Sequence, residues 1–349
     1  MQNKKKFLWA LLCAVVLIAF AVLAGEWVRR GQELRQQQTT AQAQAETETA
    51  LAAAATTQGD TAKGAQDDEI ALPSPTTAKA PTEPAQTATE PHTTYTGRFP
   101  LPAVHFTVTD PDNTRGLSEK RIDHSFGVAK NEQPHEISVT RQAELRKAGR
   151  KAVIYDDRTR EKVLFLTFDC GFENGNTAHI LDVLRDKSVP AAFFCTLYHI
   201  RQQPELIARM IDEGHIVGNH SDTHPDFSSI SRAQMARELE AVENALRTDF
   251  GYTSRYFRFP EGAYSESALD LVESLDYVPV FWSSAYADWD TTNTKGADYA
   301  LQTVTSRLHP GAVILLHAVS PDNAAAMADI IDTARSMGYT FRPLTELGS

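Results

Sequence analysis

The chain has 349 residues, is 42% hydrophobic and 23% charged, and carries 45 acidic against 34 basic side chains, a formal net charge of -11 at pH 7. That balance offers no basic face for nucleic acid, and no nucleic-acid partner is expected. Its 3 cysteines, one of them in an apolar N-terminal run, are too few for a disulfide-dense scaffold.

Lys4, Lys5 and Lys6 precede an uncharged apolar stretch over residues 7–24, and Glu26, Arg29 and Arg30 follow it. The stretch is long enough to cross a bilayer as a helix, and the lysines would hold the N-terminus in the cytoplasm. Residues 1–30 are therefore read as a single-pass anchor that places the rest of the chain outside the cell membrane. The other reading is a cleaved signal peptide, for which Ala19-Phe20-Ala21 and Val22-Leu23-Ala24 offer sites and which would leave the protein secreted. Residues 31–92 are dominated by Gln, Thr, Ala, Glu and Pro, with almost no aromatic residues. Such a segment buries too little apolar surface to offset its ordering entropy, so it reads as a disordered tether.

Residues 93–160 lack clear periodicity and read as a lead-in that packs on the following domain, with turns around residues 122–127 and a short helix over 141–151. From 161 to 349 strand and helix patterns alternate. Val163-Leu164-Phe165-Leu166-Thr167-Phe168 is a strand buried on both faces that stops at Asp169-Cys170-Gly171. Further strands are expected at 191–195, 216–218, 256–258, 278–282, 313–317 and 339–341. Helices are expected at 177–187, 205–213, 232–250 (opened by Ser231), 265–275, 299–308 and 323–337. Repeated β–α units imply parallel strands with helices outside, and about seven of them suit a distorted (β/α) barrel better than an open sheet. No glycine-rich phosphate loop and no repeat array is present.

In folds of this kind chemistry collects where strands end at their carboxyl edge. Asp169 and Cys170 bring a carboxylate and a soft metal ligand to one such edge. His220 and His224 follow another strand, and two imidazoles four apart can reach one ion if the residues between them form a helical turn. A lone pair of this spacing is more often two surface residues. Sharing an edge with Asp169 favours the ligand reading, and imidazoles with one oxygen or sulfur suit Zn²⁺ with an open position. His317 ends the apolar run Val313-Ile314-Leu315-Leu316, where a histidine is more often a satisfied core residue.

These residues combine into a recognisable pattern. Thr167-Phe168-Asp169-Cys170-Gly171 resembles the first motif of the polysaccharide deacetylases, the NodB-like family 4 carbohydrate esterases, and His220 and His224 match the second. Tyr256–Gly262 resembles the third, Asp288-Trp289 the fourth and Ile314-Leu315-Leu316-His317 the fifth. The run Phe172-Glu173-Asn174-Gly175, the stretch 282–289 and Leu316–Ser320 further resemble the branch that acts on N-acetylmuramic acid of bacterial cell wall and leads to muramic δ-lactam.

The resemblance implies a hydrolase that removes acetyl groups from peptidoglycan glycan strands and works as a monomer. It makes Asp169 the general base, Arg258 its partner, His317 the general acid and Asp288 the residue that orients His317. Asn174, the main-chain N–H of Glu261, Trp289 and Leu315 would meet the substrate, and a divalent metal, Zn²⁺ or Co²⁺, would sit on His220 and His224. Cys170 stands where most of the family has a second aspartate. Three roles stay open for it: a third ligand to that metal, a bystander, or a disulfide partner of Cys195. The competing functions are deacetylation of N-acetylglucosamine, chitin-like or xylan polymers, and non-catalytic binding of cell-wall glycan.

Overall fold

The structure is a computed structural model and describes residues 99–347. The expected anchor over 1–30 and tether over 31–92 lie outside the described residues. Among the described residues no helix is long and apolar enough to cross a membrane.

Among the described residues nine strands occur in chain order: β1 (Ile122–Asp123), β2 (Val163–Cys170), β3 (Ala191–Cys195), β4 (Ile216–Asn219), β5 (Tyr256–Phe257), β6 (Ala263–Tyr264), β7 (Val278–Pro279), β8 (Ala312–His317) and β9 (Thr340–Phe341). β1 and β6 form a small antiparallel pair. The other seven make one parallel sheet in the order β7-β5-β4-β3-β2-β8, with β9 also on β2. The fold is an α/β half-barrel rather than a fully laddered one. β7 is only two residues long, although the Val280 N–H still donates to the Phe257 carbonyl beyond it. Beyond it, Val280 bridges to Val153 of the lead-in and Ser284 to Ile314 of β8, while Tyr155 pairs with Ala312. The lead-in therefore fills the seam between β7 and β8. Phe106, Val108, Ile122 and Phe126 from the same segment pack against the inner core.

Strand alternation sorts β2 into two faces. Leu164, Leu166, Phe168 and Cys170 join an outer core with Ile180 and Leu184 of the helix Thr177–Lys187 and Met327 and Ile331 of the helix Pro321–Ser336. Val163 and Phe165 join an inner core with Phe194, Phe257, Phe281 and Trp282. Thr167 and Asp169 continue that inner face.

The long helix Arg232–Phe250 opens on a full capping box between Ser231 and Gln234 and closes on Gly251 in the left-handed region, φ 59°. Two local features depart from the sequence reading. The lead-in helix runs Glu136–Lys147 rather than over 141–151. Its buried face carries Ser138 and Gln142, which bond the Phe126 carbonyl and the Ile154 N–H, so the apolar periodicity that would mark it is missing. A further helix, Leu197–Gln202, follows β3 and is capped by the Thr196 hydroxyl. At six residues it is too short to leave a periodic trace.

Gly218 in β4 faces the ring of Phe194, and a Cβ there would lie 2.6 Å from it. Gly218→Ala should push Phe194 aside and cost about 1–3 kcal/mol of stability in a denaturant titration. Because Phe194 lies under the guanidinium of Arg258, at 4.2 Å from the ring centre, the Arg258 side chain should be displaced as well. Unchanged stability in this variant would show that Phe194 is not held as described.

Candidate active site

At the carboxyl edge of the sheet, Asp169 and Arg258 form a buried pair. The guanidinium donates to Asp169 Oδ1 through Nη1 at 2.8 Å, and its Nε donates to the Val280 carbonyl at 2.9 Å. Its Nη2 donates to the Thr167 hydroxyl at 2.9 Å and to the Phe281 carbonyl at 3.2 Å. Thr167 in turn donates to the Ile314 carbonyl of β8 at 2.6 Å. Burial by itself would raise the Asp169 carboxyl, but Arg258, with smaller help from His220 and His317, holds it below the ordinary aspartate value. It is an ionised, oriented carboxylate.

His220 follows β4, and its Nδ1 lies 2.9 Å from the Arg258 carbonyl oxygen. Burial pushes its imidazole down to about 4, so the ring is neutral at pH 7. A carbonyl only accepts, so Nδ1 carries the proton and Nε2 keeps a lone pair, 3.6 Å from Asp169 Oδ2. His224 stands edge-on to His220 with ring centres 4.9 Å apart. No helical turn joins them. Ser221 and His224 are both left-handed, φ 69° and 57°, and the turn is tied by Ser221 N–H to Asn219 Oδ1 and His224 N–H to Ser221 Oγ. Backbone in that region is strained for such residues and is kept where surrounding structure over-determines it. A buried, neutral imidazole with a fixed tautomer, a second imidazole beside it and a carboxylate in reach together fit a divalent metal.

Cys170 is not part of that set. The residue after Asp169 points to the opposite face of β2, so its sulfur lies in the outer core, beside Cys195 and His199. Both cysteines are free. Of the three roles the sequence leaves open, sharing an ion with His220 and His224 is removed by strand alternation, and no disulfide is formed.

The second half of the site lies on β8. Asp169 and His317 are paired in register on neighbouring strands. His317 Nδ1 lies 2.6 Å from Asp288 Oδ1, and its main-chain N–H donates to Asp288 Oδ2 at 2.8 Å. Asn323 Nδ2 also donates to Asp288 Oδ2, at 2.5 Å, from the first turn of the helix Pro321–Ser336. Burial alone would lower the His317 imidazole, but Asp288 outweighs it and raises the ring above the ordinary histidine value of 6.5. Register partners on neighbouring strands share a face, so an ionised carboxylate and an imidazole that holds its proton more tightly than usual lie side by side, one able to take a proton and the other to give one. Trp289, 58% exposed, stands against His317 with ring centres 5.7 Å apart, and Leu315 lies buried below. Glu261 is left-handed at φ 57° in the turn after β5, its carboxylate out at Arg121. Asn174 donates from the β2 loop to the Val319 carbonyl at 3.1 Å, so it ties that loop to the chain after β8. Sequence reasoning gave no role of its own to Thr167, which lies inside the first motif, or to Asn323, which stands outside the motifs at a helix start.

A profile of the polysaccharide deacetylases matches residues 156–280. The peptidoglycan-N-acetylmuramic acid deacetylase PdaA of Bacillus subtilis (strain 168) is 44% identical over 194 residues, 55% of this chain and 74% of that one. The chain belongs to the polysaccharide deacetylase family. The solved structure of Bacillus subtilis PdaA, a family 4 carbohydrate esterase, is similar with a TM-score of 0.63 at 39% identity, covering 66% of this chain and 98% of that one. A family 4 carbohydrate esterase from Bacillus anthracis is similar with a TM-score of 0.54 at 38% identity, covering 66% and 97%. The deacetylase fold and the motif residues described above thus occur together on one sheet edge.

The two charged groups have opposite linkage to stability. Asp169, with its folded value depressed, contributes stability above the ordinary aspartate value and loses it as pH falls through the folded value. His317, with its folded value raised, contributes fully below 6.5 and loses that contribution as pH rises through the folded value. Asp288→Asn should lower stability at pH 6 and abolish the alkaline decline in unfolding midpoint assigned to His317. An alkaline decline as steep as in the wild type would overturn this assignment.

Proposed function

We propose that this enzyme removes the acetyl group from N-acetylmuramic acid of peptidoglycan, freeing an amine that can close on the lactyl carboxylate to give muramic δ-lactam. The observation that carries the reading is the pairing on neighbouring strands of Asp169, bound to Arg258, with His317, bound to Asp288. The similarity to PdaA, whose name states that sugar, supports the choice of substrate.

Asp169 takes a proton from water, whose oxygen attacks the acetyl carbon. The oxyanion formed there is met by the main-chain N–H of Glu261, a donor already fixed by the left-handed turn. His317 then donates its proton to the departing nitrogen, and acetate and free amine separate. Trp289 and Leu315 wall the slot for the acetyl methyl, and Asn174 shapes the loop over the sugar. A divalent cation such as Zn²⁺ or Co²⁺, held by His220 and His224, would lower the pKa of the water and polarise the acetyl oxygen. A module that only binds glycan has no use for a base opposite an acid, which disfavours the non-catalytic reading.

The apolar stretch 7–24 and the polar linker after it favour anchoring to the outer face of the cell membrane. Recovery of all the protein in the culture medium would exclude the anchor.

Purified enzyme should release acetate from peptidoglycan strands, and Asp169→Asn and His317→Ala should each lower the rate by about 10²–10⁴-fold. Mass spectra of muramidase-digested wall should carry the loss of acetyl on muramic acid. Undiminished release in both variants would sink the mechanism, and acetyl loss confined to N-acetylglucosamine would sink the choice of sugar.

A further inference from the structure

Directly behind the site, on the outer face of the sheet, lies a second group of metal-ligating side chains. Cys170 of β2 and Cys195 of β3 are partners in parallel register. The Thr196 cap turns the chain into the helix Leu197–Gln202, which brings His199 back over the two strand ends. One ligand atom from each of the three lies within 4.8 Å of the others, and all three residues are 0% exposed. Among the described residues this is the one triad of His, Cys, Asp or Glu gathered so closely.

His199 makes the cluster more than a pair of core thiols. Both of its ring nitrogens are buried and have no hydrogen-bond partner among the described residues. A neutral imidazole has one donor and one acceptor, and buried polar groups in folded proteins are nearly always satisfied. A histidine that merely filled the core would be expected to find a carbonyl or a hydroxyl. Joining Cys170 to Cys195 as a disulfide would leave both nitrogens as they are. A metal ion held by the two sulfurs would take up one of them.

We propose that Cys170, Cys195 and His199 form a buried site for Zn²⁺, separate from the His220–His224 pair. The ligand chemistry selects the ion class: two sulfurs and an imidazole suit Zn²⁺ and exclude Mg²⁺ and Ca²⁺, which need oxygen donors. Charge selects the valence. On binding, each thiol releases its proton to solvent, two Zn–S bonds and one Zn–N bond form, and the two thiolates cancel the 2+ of the ion. Only a complex of zero net charge suits a core that excludes water.

The site would clamp the ends of β2 and β3. Those ends are already tied to the catalytic edge: Thr196 N–H donates to the Cys170 carbonyl and His220 N–H to the Cys195 carbonyl, both at 3.1 Å. Through these ties the ion, on three protein donors with one position open, would hold Asp169 and His220 in register from behind.

The test uses full-length protein carrying Cys13→Ser, so that thiol chemistry reports only on this cluster, and His220→Ala with His224→Ala to empty the front site. This protein should retain about one equivalent of zinc by elemental analysis after desalting. Replacement with Co²⁺ should give thiolate-to-cobalt charge-transfer absorption. That band should vanish in Cys170→Ser and in Cys195→Ser and shift in His199→Ala, with circular dichroism reporting that each variant is folded. Loss of all zinc with the two front histidines would overturn the proposal, as would absence of the band in a folded protein with both cysteines present. So would thiol titration showing Cys170 and Cys195 already oxidised to each other. None of these three outcomes depends on the cysteine variants folding.

Discussion

The buried Arg258 guanidinium is the constraint on which the rest of this site depends. Taking a charge out of water costs several kcal/mol, and it is tolerable here because its N–H groups find Asp169, Thr167 and the carbonyls of Val280 and Phe281. These acceptors come from β2 and from the irregular segment after β7, so the cation stitches two distant parts of the sheet edge. The rings of Phe194 and Trp282 lie 4.2 and 5.6 Å from it and keep water away. Removing either charge would strand the other, at a cost of about 3–5 kcal/mol. Stability and chemistry thus share one interaction, since the same bond that permits the buried cation keeps Asp169 ionised.

The Asp288–His317 pair follows the same logic with the signs exchanged. Here the carboxylate is the deeper group, held by the His317 main-chain N–H and by Asn323 at a helix start, and it raises the proton affinity of a partly exposed imidazole. Each charged group has its own dominant partner, Arg258 for Asp169 and Asp288 for His317, and the smaller mutual attraction of Asp169 and His317 pushes both in the same directions.

Much of the architecture was legible in the chain itself, for a stated reason. The parallel strands are buried on both faces and so read as unbroken apolar runs, and the helices between them carry a 3.6-residue period with clear caps at Ser231 and Ser265. The site residues were legible because motifs at strand ends are short and local. What escaped was whatever lacks a period. The helix Glu136–Lys147 turns polar residues inward, and the helix Leu197–Gln202 is too brief to repeat. Partners such as Thr167 and Asn323 became visible only when distant segments met.

Asp169 and Cys170 show where the line between sequence and structure falls. By itself the sequence determined that a carboxylate and a thiol end a buried strand, that two histidines follow another, and that the family motifs stand in order. It left open whether adjacent residues 169 and 170 serve one site. Only the tertiary structure decided this, because side chains on a strand alternate faces and what lies on each face depends on contacts made across long stretches of chain. Asp169 turns inward to Arg258 and His220, and Cys170 turns outward to Cys195 and His199.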